Sequence, residues 1–526
     1  MGEHMKKIVI LGGGTSGWMS ASYFHAKGGY DITVIESPNF KPIEMSASTT
    51  PYLKRFFKEI GIESESEWMP ACKATYKLGV LYDDFNCIGS RMWNPFEGEE
   101  DWHCYWNKHR TEDNLLSSDF FLSRIYSSHI GMNDSGKFLM NKDGKMAYPY
   151  MPKKSFGGHP EPWAYNIDSG LFNQFLKNRV VNEINIIQTT INEIKTDDTG
   201  ITALVDSDGN NHTADLFIDC TGFKGMLIEA VCPDGRIPLD PYLSHDKAII
   251  VDTQYTDVEN QMCPRTGAKA LSSGWMWDIP LYDRVVNGYV YSSEFQSSED
   301  AVKELLDNIG DDRAIKDSIM HMDIKTGHYA RPWSKNVIAI GMSAGFIEPM
   351  EATLLMTVQF TLVNINEVFV GRMDKEKCND IFESALFDTL DWVSTQYYMS
   401  HRQDSAFWRF KSQNDTQIRP RMKEWLESCK TAMLPPKDDV LFFPSCWYGK
   451  LVGFEYYPVG DGFPIEESMS LPTFSDSNFK PQNKFKYKEM DDLNARIQMD
   501  KIRNFDTSVF ISQKEYLDRF IYKDAQ

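Results

Sequence analysis

The chain of 526 residues lacks any run of about eighteen consecutive apolar residues, the length a membrane-spanning helix needs. Its N-terminal apolar run is cut by Gly12, Gly13 and Gly14 before it reaches the length of a signal-peptide core. Cysteine is sparse and unpaired: the nine cysteines form an odd set with no CxxC pair, which points to neither a disulfide framework nor a metal site. A soluble protein of the reducing cytoplasm is expected. Positive charge is also short, with 55 Lys and Arg against 75 Asp and Glu and a formal net charge of −20. That balance repels nucleic acid and anionic membranes, so neither is expected as a partner. Internal repeats and low-complexity linkers are missing too, so the modules are expected to interleave rather than follow one another. Met1 to Met5 reads as a cloning remnant and is set aside.

What is present begins with a glycine turn. The apolar run Ile8 to Leu11 leads into Gly12-Gly13-Gly14-Thr15-Ser16-Gly17-Trp18 and then a helical pattern, the strand–turn–helix setting in which GxGxxG binds a dinucleotide. Gly12 suits the tight turn, Gly14 the approach of a pyrophosphate, and Gly17 close helix packing, with Ser16 at the helix mouth. Glu36 closes the next strand, Ile32 to Ile35, where a carboxylate accepts hydrogen bonds from a ribose. Two later apolar runs end in the same fashion, at Asp219-Cys220-Thr221-Gly222 and at Ile340-Gly341, and read as further parallel strands of this module. Asp219, Gly222 and Gly341 therefore join the candidate cofactor residues.

The expected fold is α/β: a Rossmann-like dinucleotide module interleaved with a helix-rich second domain. The module spans 5–365, with insertions at about 80–165 and 240–325, and a mostly helical part spans 366–526. The second insertion alternates as an antiparallel sheet does and carries Trp275-Met276-Trp277-Asp278-Ile279-Pro280. Helical patterns run from Pro51 to Ile60, Met356 to Val370 and Lys377 to Met399, and the charge-rich Met490 to Arg503 continues them. Lys73 and Lys77, spaced i,i+4 near Glu63, Glu65 and Glu67, read on their own as an exposed pair on a helix.

With GxGxxGW, the Asp-Cys-Thr-Gly strand end and WxWxIP in this order, the chain resembles the flavin-dependent halogenases, above all the tryptophan-halogenase group, from Lys6 to about Trp408. The resemblance implies FAD, used as FADH2, in a module like that of the hydroxybenzoate-type monooxygenases. It also implies a halide that is oxidised at the flavin to hypohalous acid. Trp275 and Trp277 are then the rings that keep organic substrate from the flavin. Lys77 matches the lysine that receives hypohalous acid, by hydrogen bond or as a halogenated amine. Glu351, in Glu348-Pro349-Met350-Glu351-Ala352-Thr353, matches the carboxylate that stabilises the cationic ring and takes its proton. Glu348 reads as a structural or capping residue. The halide position falls to the backbone of Thr353 and Leu354.

Two departures stand out. Leu354 replaces a glycine of the relatives; it either points away without effect or crowds the anion and shifts preference toward bromide or iodide. Ile43 to Pro51 lacks both glycines of the family's mobile strap over the flavin. For the substrate pocket the resemblance offers His103, Tyr105, Phe407 and Trp408, aromatic walls for a small phenol, indole or related ring. A single GxGxxG implies that a separate flavin reductase delivers FADH2. Two other readings share these residues: a flavin-dependent aromatic hydroxylase, and a non-catalytic FAD-binding redox protein.

Overall fold

Short apolar runs separated by helices bury both faces of each strand, and a parallel sheet is the arrangement that allows it. In the computed structural model, which describes residues 6–39, 46–96, 140–141, 163–240 and 242–428 with short stretches between 441 and 454 and between 510 and 523, the strand Lys6–Leu11 lies between Tyr30–Glu36 and Leu216–Asp219. Ile8 pairs in register with Ile32 on one side and Leu216 on the other. Val337–Ala339 and Asn185–Gln188 extend the parallel sheet, and Trp333–Ser334 closes one edge antiparallel. The helix Thr15–Lys27 covers this sheet with Trp18, Met19, Ala21, Tyr23 and Phe24, all buried. The helix read at Pro51 to Ile60 forms as Tyr52–Glu59 and ends before Gly61.

The expected antiparallel sheet is present and larger than its own segment. Met320–Asp323, Lys247–Thr253, Val285–Tyr291, Gly274–Pro280 and Thr266–Leu271 are joined by two earlier strands, Gly79–Asp83 and Arg91–Pro95. Thr266–Leu271 and Gly79–Asp83 run parallel, so two sequence-distant pieces complete one sheet. Side chains alternate across it. Trp275 and Trp277 face the helix Lys375–Tyr398 through Leu390, Trp392 and Tyr397, whereas Met276 faces the helix Ser298–Ile309 through Ala301 and Leu305.

The helix Thr353–Phe369 packs against Lys375–Tyr398 and against the helices Thr15–Lys27 and Tyr52–Glu59, and so ties the two sheets together. Together with the turn before it, as Met350–Phe369, it matches a membrane span in length and hydropathy, and half of that window is buried inside the protein. Asp374 caps the following helix by accepting from Lys377 N at 2.7 Å. The helical expectation for Met490 to Arg503 lies outside the described residues.

A third sheet of three short strands, Ser46–Ser48, Ala164–Asp168 and Thr75–Lys77, has the second as its middle member. Here the i,i+4 reading of Lys73 and Lys77 fails. The helix ends at Trp68, the chain turns through Lys73 at φ 50, and Lys77 belongs to a strand. Lys73 stays half-exposed near Asp283, while Lys77 is wholly buried.

Candidate active site

The glycine turn has the shape an FAD pyrophosphate needs. A Cβ on Gly12 would stand 2.3 Å from Cys220 O, and one on Gly17 1.9 Å from Gly12 O, so both positions are closed by backbone. A Cβ on Gly14 meets no protein atom within 4 Å, which leaves open space at the mouth of the helix Thr15–Lys27. That helix has no side-chain cap, so its first N–H groups are free for phosphate. Glu36 reaches over Gly13 from the tip of its strand, held by Lys177 and by Gln188 Nε2 at 3.1 Å. These residues fit the cofactor. Accordingly, Gly14→Ala is expected to weaken FAD binding at least tenfold with an unchanged melting temperature, and Gly17→Ala to lower both. Flavin fluorescence titration beside a melting curve checks this, and parental affinity in Gly14→Ala would count against the cradle.

Asp219 is a correction. Its carboxylate turns inward and accepts from Thr221 N and Oγ1, Leu227 N and Ile228 N at 2.7–3.0 Å. It fastens the strand end to the following helix rather than reaching toward a cofactor. Gly222 and Gly341 occupy left-handed turns after their strands, at φ 63 and 71. Gly341 faces Ser16, whose Oγ would lie 2.2 Å from a Cβ there.

Lys77 projects from the third sheet into the interior. Its side chain has 0 % exposure, its Nζ donates to Thr49 O at 3.0 Å, and it stands 4.9 Å from the centre of the Phe96 ring. Burial pushes its pKa down to about 7, and the nearby Glu351 carboxylate partly offsets this. Thr49 is itself stitched to Tyr165 by three hydrogen bonds, two through Oγ1, so the strap segment at Ser46–Thr50 is anchored where it meets the amine. Residues 43–45 of the strap lie outside the described residues.

Glu351 comes to the same region from 274 residues further along the chain. It accepts from Tyr82 OH and from Asn94 Nδ2 at 3.2 Å, both on strands of the antiparallel sheet. Its φ of 64 and that of Ala352, 55, put two non-glycine residues in the left-handed region, at about 1–3 kcal/mol each. Ala352 is the N-cap residue of the helix Thr353–Phe369, whose N-terminus has no side-chain cap. Thr353 and Leu354 line a cavity of about 40 Å³ there, together with Gly341 and Glu348. Free backbone N–H groups at a helix start suit an anion.

The paired indoles stand beside this region, ring centroids 5.8 Å apart and both buried. Of the structural and capping roles read for Glu348, the structure shows the structural one. Fully buried, Glu348 accepts from Trp275 Nε1 at 3.2 Å and Tyr397 OH at 2.8 Å, and its other oxygen lies 2.9 Å from His245 Nδ1. One carboxylate thus fixes the Trp275 indole to the helix Lys375–Tyr398. Its charge also acts on the buried Lys411, whose pKa burial lowers to about 7.

Phe407 and Trp408 sit elsewhere than a substrate wall. Both have 0 % exposure; Trp408 donates to Leu271 O at 2.7 Å, and Phe407 packs on His245, Phe295 and Tyr397. They are core aromatics behind the tryptophan strand. His103 and Tyr105 lie outside the described residues. Sequence reading missed Tyr82, Asn94, His245, Tyr397 and Lys450. Lys450 is buried over the Trp392 ring at 3.6 Å, with its pKa pushed well down by burial and raised in part by Glu351. None belongs to a local motif; Tyr82, in an alternating strand, gave only a burial signal.

Among the described residues no cluster of His, Cys, Asp and Glu is suited to hold a metal ion. A profile of the tryptophan halogenase family matches residues 7–461. Tryptophan 7-halogenase KtzQ of Kutzneria sp. (strain 744) is 31% identical over 424 residues, 77% of this chain and 78% of that protein. Tryptophan 7-halogenase RebH of Lentzea aerocolonigenes is 27% identical over 464 residues, 84% of this chain and 86% of that one. In fold, the chain superposes on a flavin-dependent halogenase from Xanthomonas campestris with a TM-score of 0.78 and 24% identity, covering 98% of this chain and 99% of that one.

Proposed function

Because the chain belongs to the tryptophan halogenase family, we propose that it transfers an electrophilic halogen to a small electron-rich aromatic, a phenol or indole, through Lys77 with Glu351 assisting. It is a flavin-dependent halogenase that uses FADH2 and a halide. Bound over the Gly12–Gly17 turn, FADH2 supplies with O2 the oxidant that converts halide to hypohalous acid. A separate reductase supplies the reduced flavin.

The chain's own groups account for the rest. The free N–H groups at Thr353 and Leu354 hold the halide. Trp275, fixed by Glu348, and Trp277 keep the organic substrate apart from the flavin side. Lys77 takes hypohalous acid, by hydrogen bond or as a halogenated amine, and presents the halogen to the ring. As the carbon–halogen bond forms, the bond from halogen to oxygen (or, in the halogenated amine, to nitrogen, water having left when that amine formed) breaks; the departing hydroxide takes a proton from Lys77 and leaves as water, and the ring proton passes to Glu351 and on to the neutral Lys77 amine. A hydroxylase or a redox sensor has no use for a buried amine facing a strained carboxylate.

The observation that carries this reading is the placement of Lys77: wholly buried, with a pKa near 7 set by burial and by Glu351. An amine at that value takes or gives a proton near neutral pH at little cost. The test is mass spectrometry of phenols and indoles incubated with the protein, FAD, a flavin reductase, NADH and one halide at a time. Halogenated phenol or indole is expected, with bromide or iodide giving more than chloride because the Leu354 side chain crowds the anion. Hydroxylated product alone would overturn the reading, and a clear chloride preference would overturn the halide part.

A further inference from the structure

We infer that the C-terminal segment Gln513–Tyr522 is a positioning clamp on the strand that carries Lys77. The inference rests on the role given to Lys77 above. Among the described residues Thr75–Lys77 is an edge strand, paired with Ala164–Asp168 and with no other strand of its sheet. The Tyr76 N–H on its other side is buried, and a buried N–H left unpaired destabilises the fold. Gln513 Oε1 accepts from it at 2.8 Å, and Gln513 Nε2 donates to Met262 O at 3.1 Å. One amide therefore does what a neighbouring strand would do.

Tyr522 holds the turn that leads into the same strand. Its hydroxyl lies 3.0 Å from Met69 O and 2.9 Å from Ala74 O, and its ring stacks on Tyr282 at 3.6 Å with 5° between planes. Tyr282 N donates to Lys73 O at 2.9 Å, and Thr75 Oγ1 donates to Pro280 O at 2.6 Å. The tail thus binds the end of the tryptophan box and the approach to Lys77 as one unit. Tyr516 adds an edge contact to the Tyr76 ring at 5.7 Å. All of these tail residues lie beyond residue 461, the end of the family profile's match. The clamp's consequence is kinetic, because an amine displaced by about 1 Å loses on the order of 10²-fold in rate.

Two full-length variants test it. Gln513→Met keeps the volume and removes the acceptor; Tyr522→Phe keeps the stack and removes the hydroxyl. In each, kcat for halogenated product is expected to fall about tenfold or more with KM for the aromatic within about twofold. Release of hypohalous acid, read with a diffusible halogen scavenger, is expected to hold or rise, and exchange at the Tyr76 amide to quicken in Gln513→Met. Parental kcat in both variants, or product and scavenger signals falling together, overturns the clamp. Lys77→Met is the control: full product from it overturns the role of Lys77, whereas an inactive Lys77→Met beside two fully active tail variants overturns the clamp alone.

Discussion

Lys77→Met is expected to remove halogenated product, by about 10³-fold or more, while FAD uptake and hypohalous acid formation persist and the protein becomes more stable to heat. The loss follows from the role proposed for Lys77 in presenting halogen to the ring, since effective molarity and proton management would be lost together. The gain in stability follows from burial. An amine whose pKa is pushed from 10.5 to about 7 in the folded protein binds its proton less readily there than in the unfolded chain. Between about pH 7 and 10.5 the unfolded chain carries the extra proton, so stability rises with pH across that window. Below the lower value both states are protonated and the full cost of burying the charge is present. Methionine carries no such cost, so its advantage in melting temperature should be greatest at pH 6 and vanish by pH 10 or so. A scan of melting temperature against pH, run beside the product assay, reads both effects. A variant that is inactive and also less stable at pH 6 would mean that Lys77 is a packing residue, and the reading would fail.

The same titration separates the two ways in which the amine could act. A halogenated amine forms from the neutral base, so its rate rises as pH passes upward through about 7. A hydrogen bond from the ammonium gives the opposite slope. Charged or titratable groups near Lys77 include Glu351, hydrogen-bonded to Tyr82 and Asn94, and beyond it Lys450. The slope is therefore to be read for the group as coupled, and Lys450→Met fixes how much of it belongs to Lys450.

Local features were legible in the sequence, and distant pairings were not. The glycine turn announces its own geometry because Gly12, Gly14 and Gly17 act within one turn of chain, and the structure gives each a distinct steric reason. The tryptophan box reads through its period of two, which puts both indoles on one face of a strand. Lys73 and Lys77 mislead when read alone, because i,i+4 spacing says helix while Lys73 at φ 50 breaks the chain into a strand. Glu348, a carboxylate before proline, reads from sequence as structural or capping, and the sequence does not say which groups it would hold. Its real partners, Trp275 and Tyr397, are 73 and 49 residues away. Gln513 meets Tyr76 across 437 residues, a pairing that no spacing encodes. Asp219, Phe407 and Trp408 had the right residue types in the right order, but they turn inward to backbone and core. Identity and order fix composition near a site, whereas side-chain direction depends on packing set by the whole fold.

Glu351→Gln is expected to lower kcat by about 10²–10⁴-fold, the range for loss of a positioned general base. Glutamine keeps an oxygen for Tyr82 OH and Asn94 Nδ2, so the strained turn at residues 351–352 and the start of the following helix should survive. What is lost is the negative charge. Two consequences distinguish this from simple damage. Loss of the ring proton becomes rate-limiting, so a substrate deuterated at the reacting carbon should turn over more slowly than its protio form in the variant and equally fast in the parent. The charge that holds the Lys77 pKa up is also gone, so the inflection in the pH–rate profile should move below about 7. Parental turnover with no isotope effect would remove Glu351 from the reaction. A slow variant with an unmoved inflection would mean that the carboxylate acts on the ring alone, and the electrostatic link between the two residues would have to be abandoned.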